Sequence, residues 1–373
     1  MMDFRPSPAQ QLLTATARDY LRRHCPIELV QRLALEESRF DAKLWRGMAE
    51  LGWPGLLIPG DFGGSDGSLL DVILLVEELG YACVPSPYVT SAVAATALVL
   101  ASAEAQRKRI LPALAAGDRI ATLALVEERG SFDVATLAMA CDGGRLTGRK
   151  LFVKDAHVAD DLVVVLRDDV ILLPRERQGI ASRPLDTLSD EKLFAVTFDG
   201  VEVRADDRLA VGRDAVSAAV QAGALARTAE MVGAAQKILE ITVEHAKTRV
   251  QGGRPIGGHQ AIQHACADLV RDVDCARALL YTAAWRLTEA PASSSEKLTA
   301  MGGQGSEVAM AKAYAGEAAL TVARRAHQIF GAISYCQEHP LHLFHKRIQA
   351  ASLDFGDASL HLETVARAIG LEA

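Results

Sequence analysis

One stretch, ALARTAEMVGAAQKILEITVEHAKTRVQGGRPIGGHQAIQHACAD from Ala224 to Asp268, constrains the chain more than any other. Apolar residues recur at Leu225, Met231, Ala235, Ile238, Val243 and Ala246, the spacing of a long helix with a core-facing stripe and a charged outer face. The helix is expected to stop near Arg249. Beyond it, Gln251-Gly252-Gly253-Arg254-Pro255-Ile256-Gly257-Gly258 cannot continue a helix, because proline lacks the amide hydrogen and glycine favours turns. A second amphipathic helix should begin near His259. The connection sets the Arg249 guanidinium and the Gln251 amide beside bare backbone N–H groups, a combination suited to a diphosphate.

Helices of this length need a large core, and the chain can supply one. It has 373 residues, half of them hydrophobic, which is enough for two or three packed units. A net charge of −7 leaves no basic surface suited to nucleic acid. The cysteines, Cys25, Cys83, Cys141, Cys266, Cys275 and Cys336, lie far apart with no CxxC pair, so they read as reduced thiols of a cytoplasmic protein. The N-terminal segment has charge along it and no signal-peptide core. The longest apolar run, around Ser91 to Ala103, is shorter than the roughly 20 residues of a membrane span and reads as a buried helix.

Taken in order, residues 1–118 read as helices. Ser7 can cap the first, Phe40 to Leu51 carries a second amphipathic pattern, and Ser68 to Leu79 a third that Pro85 and Pro87 break. Gly60 to Gly67 is too rich in glycine and small polar residues to be anything but a loop. From Ile120 the period changes. ATLALVEE, RLTGRKLFVKDA, DLVVVLRDDVILLP and KLFAVTFDGVEVRADDRL combine alternation, β-branched runs and the turn signal Asp142-Gly143-Gly144, as an antiparallel β-domain over 119–212 would. Residues 213–373 return to helices. By pattern alone this is an α plus β, multidomain chain.

Four segments resemble the flavin-dependent acyl-CoA dehydrogenases, in the family's order. ELGWPGLLIPGDFGGSDGSLLDVILLVEELG matches the N-terminal helical segment, and LTGRKLFVKDAHVAD the central β-domain signature. KTRVQGGRPIGGHQAIQHACAD is similar to the R-x-Q-F-G-x-P-I-x-x-F-Q segment, and HQIFGAISYCQEHPLHLFHKR to the C-terminal flavin-contacting stretch. The resemblance implies an α+β acyl-CoA dehydrogenase fold: an N-terminal helical domain (1–118), a central antiparallel β-domain (119–212) and a C-terminal four-helix bundle (213–373). The Gly60 to Gly67 loop would lie near the acyl-binding cavity.

The same resemblance implies FAD. Val126-Glu127-Glu128 stands where the family usually has Thr-Glu-Pro, and Phe152-Val153-Lys154 where it often has Trp-Ile-Thr. Phe152 would cover one flavin face and the backbone near Val153 and Val126 would meet its edge. Pyrophosphate and adenosine contacts come largely from a neighbouring subunit; Arg249 and Gln251 match one set of those positions, Gln328 and Gly331 the other. Gly252, His259, Ala332 and Ser334 depart from the pattern. Lys150, His264, His327 and His345 read as structural, and Glu338-His339-Pro340-Leu341-His342 lacks metal-site spacing.

Such enzymes need a carboxylate to remove the α-proton of the acyl thioester while the flavin takes hydride from the β-carbon. The family supplies it from one of two places, which fall here on Phe355 and Gly223, and neither carries a carboxylate. Asp354 and Asp357 flank the first position and are the candidates for the base; each equally suits a solvated loop acid or a helix cap. Glu230 lies about 10 Å along the helix from Gly223, too far to substitute, and is expected to form a helix-surface pair with Arg227.

Two readings follow. The first is FAD-dependent α,β-dehydrogenation of an acyl-CoA to the 2-enoyl-CoA, in a homotetramer passing electrons to an electron-transfer flavoprotein. The second is a non-catalytic subunit of a mixed tetramer, as among relatives acting on steroid-like thioesters, that completes its partner's FAD site.

Overall fold

Helix caps written in the sequence set the first elements of the computed structural model, which describes residues 6–189, 191–289 and 305–371. Ser7 and Gln10 form a reciprocal capping box that opens α1 (Pro8–His24). Helices α2 (Ile27–Leu35) and α3 (Ala42–Glu50) follow, and Ser68 with Asp71 caps α4 (Leu69–Tyr81) in the same way. The apolar run after the prolines is buried, as predicted, but its first part, Val89–Ala95, winds as a wide π-helical stretch before α5 (Thr96–Leu100). The Thr96 hydroxyl donates to the Ser91 carbonyl five residues back, across that wide turn. Helix α6 (Glu104–Ala115) ends the region.

The strands are β1 (Ala121–Ala124), β2 (Cys141–Asp142), β3 (Arg145–Lys154), β4 (Asp161–Val165), β5 (Val170–Pro174), β6 (Ile180–Leu185), β7 (Leu193–Glu202) and β8 (Arg208–Leu209). They form two sheets, ordered β1-β4-β5-β8 and β2-β3-β7-β6. The ladders are antiparallel as predicted, except that β1 and β4 run parallel. The β2–β3 hairpin closes on Gly143-Gly144, both with positive φ, as a two-residue turn requires. Leu146, Leu162, Val164, Ile171, Val196 and Phe198 fill the space between the sheets.

The second helical region contains α7 (Arg213–Thr248), α8 (Gln260–Glu289), α9 (Gly305–Phe330), α10 (Leu341–Leu353) and α11 (Ala358–Ala368). Helix α7 is the axis of the molecule, packed on α4, α8, α9 and α10. The predicted stripe with a charged outer face therefore holds only toward its C-terminus. Every residue from Ala222 to Ala235 is buried, Arg227 and Glu230 included, so their expected surface pairing is an interior one. Glycines permit the close crossing of α4 and α7: a Cβ on Gly80 would sit 2.2 Å from the Glu230 carbonyl oxygen, and one on Gly233 1.9 Å from that of Glu77. Among the described residues no helix is long and apolar enough to cross a membrane.

Candidate functional site

Gly223 and Phe355, the two positions that the family resemblance matches to its base, meet at one point. A Cβ built on Gly223 would lie 2.5 Å from Cζ of Phe355, so the Phe355 ring rests directly on the glycine. Phe355 is only 3% exposed and tilts against Phe132 with ring centroids 5.6 Å apart. Its φ is +57°, a left-handed conformation that a phenylalanine adopts only when its surroundings hold it.

Those surroundings are explicit. From α9, the buried Lys312 ammonium donates to the carbonyls of Ser352 (2.8 Å) and Gly356 (3.0 Å). A ring nitrogen of His361 lies 3.1 Å from the Phe355 carbonyl. Asp357 caps α11, accepting from the Leu360 amide at 2.9 Å. Asp354 accepts from Arg227 Nε at 2.8 Å and sits 3.6 Å from Lys154 Nζ. Both aspartates offered by the sequence as a base are thus engaged in holding the loop, one as a cap and one as the anion of a buried ion pair.

That ion pair belongs to a larger cluster. Lys154 at the end of β3, Arg227 on α7 and Arg347 on α10 face Glu191 in the β6–β7 loop, Glu230 on α7 and Asp354. Arg227 reaches Glu191 at 3.1 Å, and Arg347 reaches Glu230 and the Val84 carbonyl at 2.9 Å each. Burial opposes ionisation of Glu191, but Arg227, Lys154 and Arg347 outweigh it and hold its carboxyl well below the ordinary value. Burial likewise opposes the charge on Arg227, and Glu191, Glu230 and Asp354 outweigh it and hold the guanidinium charged. Lys154, Glu191, Arg347 and Lys312 were not singled out from sequence. Only Lys154 left a local trace there, as a departure from the threonine of the family pattern.

On the outer side of the cluster a cavity of about 620 Å³ opens between the β-domain and the 353–360 segment. Phe152 lines it, 49% exposed and held at φ +55°, so one aromatic face is available to a planar ligand. Gly130 and Ser131 line it too, and Glu127 shapes the segment that carries them by accepting from the Ala138 and Met139 amides. Lys150 supports this arrangement from the core, as expected, donating to Glu127 and the Leu125 carbonyl. Val126 and Val153 are buried, so their side chains serve the core and only their backbone could meet a ligand. The Val126 carbonyl already accepts from the Leu151 amide at 2.8 Å.

The remaining predicted residues gather elsewhere. Arg249 caps the C-terminal end of α7 and Gln251 belongs to a hairpin, β9 (Val250–Gln251) with β10 (Arg254–Pro255). Gly252 and Gly253 close that hairpin with positive φ, a conformation to which glycine is suited. His245, one turn before Arg249, stacks on Phe330 with centroids 4.3 Å apart and so brings Gln328 and Gly331 to the same end of the bundle. Arg249, Gln251, Gln328 and Gly331 are all exposed and none lines the 620 Å³ cavity. Ser334, at a family glycine position, is buried and turns its hydroxyl back to the Gly331 carbonyl at 2.7 Å. Among the described residues no group of His, Cys, Asp or Glu could hold a metal.

Comparison with known proteins agrees with this fold. Residues 7–118 match the acyl-CoA dehydrogenase N-terminal domain and residues 211–370 the acyl-CoA dehydrogenase C-terminal domain. The chain is 31% identical over 372 residues to acyl-CoA dehydrogenase FadE27 of Mycobacterium tuberculosis, covering 98% of each chain. It superposes on a chain of the ChsE4-ChsE5 complex of Mycobacterium tuberculosis with a TM-score of 0.89 and 28% identity, covering 100% of both chains. It also superposes on a chain of a variant of the Tcur3481-Tcur3483 steroid ACAD with a TM-score of 0.85 and 27% identity, covering 97% of both. With the fold and both terminal domains in agreement, the chain belongs to the acyl-CoA dehydrogenase family of FAD-dependent oxidoreductases.

Proposed function

We propose that this chain is the accessory subunit of a mixed acyl-CoA dehydrogenase tetramer, in which a homologous partner bears the catalytic carboxylate. One observation carries the reading: at Gly223 and Phe355, which the family resemblance matches to its two base positions, no carboxylate stands, and the Phe355 ring packs directly on Gly223. Recruiting Asp354 instead would strip Arg227 and Lys154 of a partner inside a buried cluster, which typically costs several kcal/mol. Two solved relatives, the ChsE4-ChsE5 complex and the Tcur3481-Tcur3483 steroid ACAD, are assemblies named for two chains each. By likeness to the second, the assembly would act on a steroid-like acyl-CoA, and the family resemblance implies an electron-transfer flavoprotein as its acceptor.

The residues present suit a flavin dinucleotide in outline. Phe152 offers an open aromatic face in a cavity of sufficient size, and the exposed Arg249, Gln251, Gln328 and Gly331 form a separate face suited to a diphosphate and adenosine held from outside. When bound, the flavin supplies the hydride acceptor for the β-carbon. In this chain the Arg249 guanidinium would neutralise phosphate charge, and the left-handed Gly331 turn would let backbone approach the ligand without a Cβ.

A second reading, an enzyme active by itself, draws on Asp354 and Asp357, which both line the cavity. Purification alone and together with a glutamate-bearing homologue distinguishes the two. The accessory reading expects no flavin bleaching when acyl-CoA is added to the chain alone, and bleaching with the pair. It also expects Arg249→Ala to lower flavin retention in the pair. Bleaching by the chain alone would establish the second reading.

A further inference from the structure

We propose that Phe355, backed by Phe132, occupies the space an acyl chain would enter, so that this subunit's own acyl cavity is filled by its own side chains. The proposal deepens the accessory reading and rests on it for the location of the cavity. That location lies inward of the ion cluster. Between the π-helical stretch and β1 runs a crevice with apolar walls from Leu123, Leu125 and Leu151, with Phe132 and Phe355 projecting into it. The volume left is about 20 Å³, room for roughly one water molecule and for no hydrocarbon chain.

The filling is built in. A phenylalanine at φ +57° is held from four directions: Lys312 on two carbonyls, His361 at the Phe355 carbonyl, Arg227 on Asp354, and the Asp357 cap. Its ring fits because residue 223 has no side chain; three ring carbons lie 2.5–2.9 Å from where a Cβ would stand. Large and small residues are therefore matched across the site, and a glycine that could be read as room for a bulky acyl group is instead covered. Phe132, Phe152, Lys154 and Asp354 line both this crevice and the 620 Å³ cavity, with Asp354 held between Lys154 and Arg227.

The test is calorimetric titration of the purified chain with coenzyme A, a short-chain and a long-chain acyl-CoA. For the wild type the affinity is expected to be the same for all three. For Phe355→Gly, which keeps the left-handed backbone without strain, it is expected to rise with chain length, by up to about fourfold per methylene buried. In parallel, Gly223→Ala should lower the Tm of the wild type and not lower that of Phe355→Gly, where only the gain in helix propensity is left. If Phe355→Gly does not fold, Phe355→Leu carries the same readout with a smaller rise. Chain-length-dependent binding by the wild type, or a folded variant without the gain, overturns the proposal; seen without flavin bleaching, it leaves the accessory reading standing. Conversely, unchanged flavin retention by the pair carrying Arg249→Ala would count against the accessory reading while the filled cavity stood.

Discussion

Lys312 shows how one residue holds the loop that carries Asp354, Phe355 and Asp357. It is 1% exposed, and burial pushes its ammonium down to about 8 against the opposing pull of Asp354. Its unfolded value is about 10.4, so between these two pH values the unfolded chain holds more protons on this lysine than the folded one. Stability contributed by Lys312 must then rise with pH across that window, by at most about 1.4 kcal/mol per pH unit. Cys25, whose thiol burial pushes up to about 12, works in the opposite direction. The measurement is therefore the difference between wild type and Lys312→Met in urea denaturation at pH about 8 and about 10; a flat difference would show that the amine is not desolvated. Nothing in the local sequence marks Lys312. It lies in an alanine-rich helix, and its partners are backbone carbonyls some forty residues away.

At the scale of elements, glycines have opposite meanings in different helices. Where α4 crosses α7, a Cβ on Gly80 or Gly233 would meet a carbonyl oxygen of the facing backbone, which no rotamer change relieves. Gly80→Ala or Gly233→Ala should therefore destabilise by about 1–3 kcal/mol or more, despite the gain of up to about 1 kcal/mol in helix propensity. In α9 the nearest neighbour of a Cβ on Gly316 would be the Ser352 Cβ at an ordinary 3.8 Å. Gly316→Ala should stabilise, by roughly 0.5–1 kcal/mol. Thermal denaturation of the three variants decides the matter: a common sign would refute the close-crossing account. The elements themselves were largely legible beforehand, because caps such as Ser7 and Ser68, the Gly143-Gly144 turn and the break after Arg249 act through neighbours in sequence. The parallel β1–β4 pair and the π-helical stretch were not, since each is set by packing against distant segments.

At the scale of the whole molecule, the buried cluster joins the β-domain to both helical regions: Lys154 and Glu191 come from the first, Arg227, Glu230, Arg347 and Asp354 from the bundle, and the Val84 carbonyl from the N-terminal helices. Arg227→Met would leave three carboxylates facing two cations in a dry interior. A loss of about 3–5 kcal/mol is expected at neutral pH, easing as pH falls and one carboxyl is free to protonate. Chemical denaturation at two pH values checks both the size and the sign. The sequence by itself determined the family, through its motifs and their order, and most of the order of helices and strands, because periodicity, caps, turns and motif spacing are local properties. It also revealed that neither base position carries a carboxylate. Only the tertiary structure decided what stands there instead. Gly223 and Phe355 become neighbours, Asp354 becomes half of a buried ion pair, and Asp357 becomes a cap, since burial and charge pairing depend on which distant segments meet.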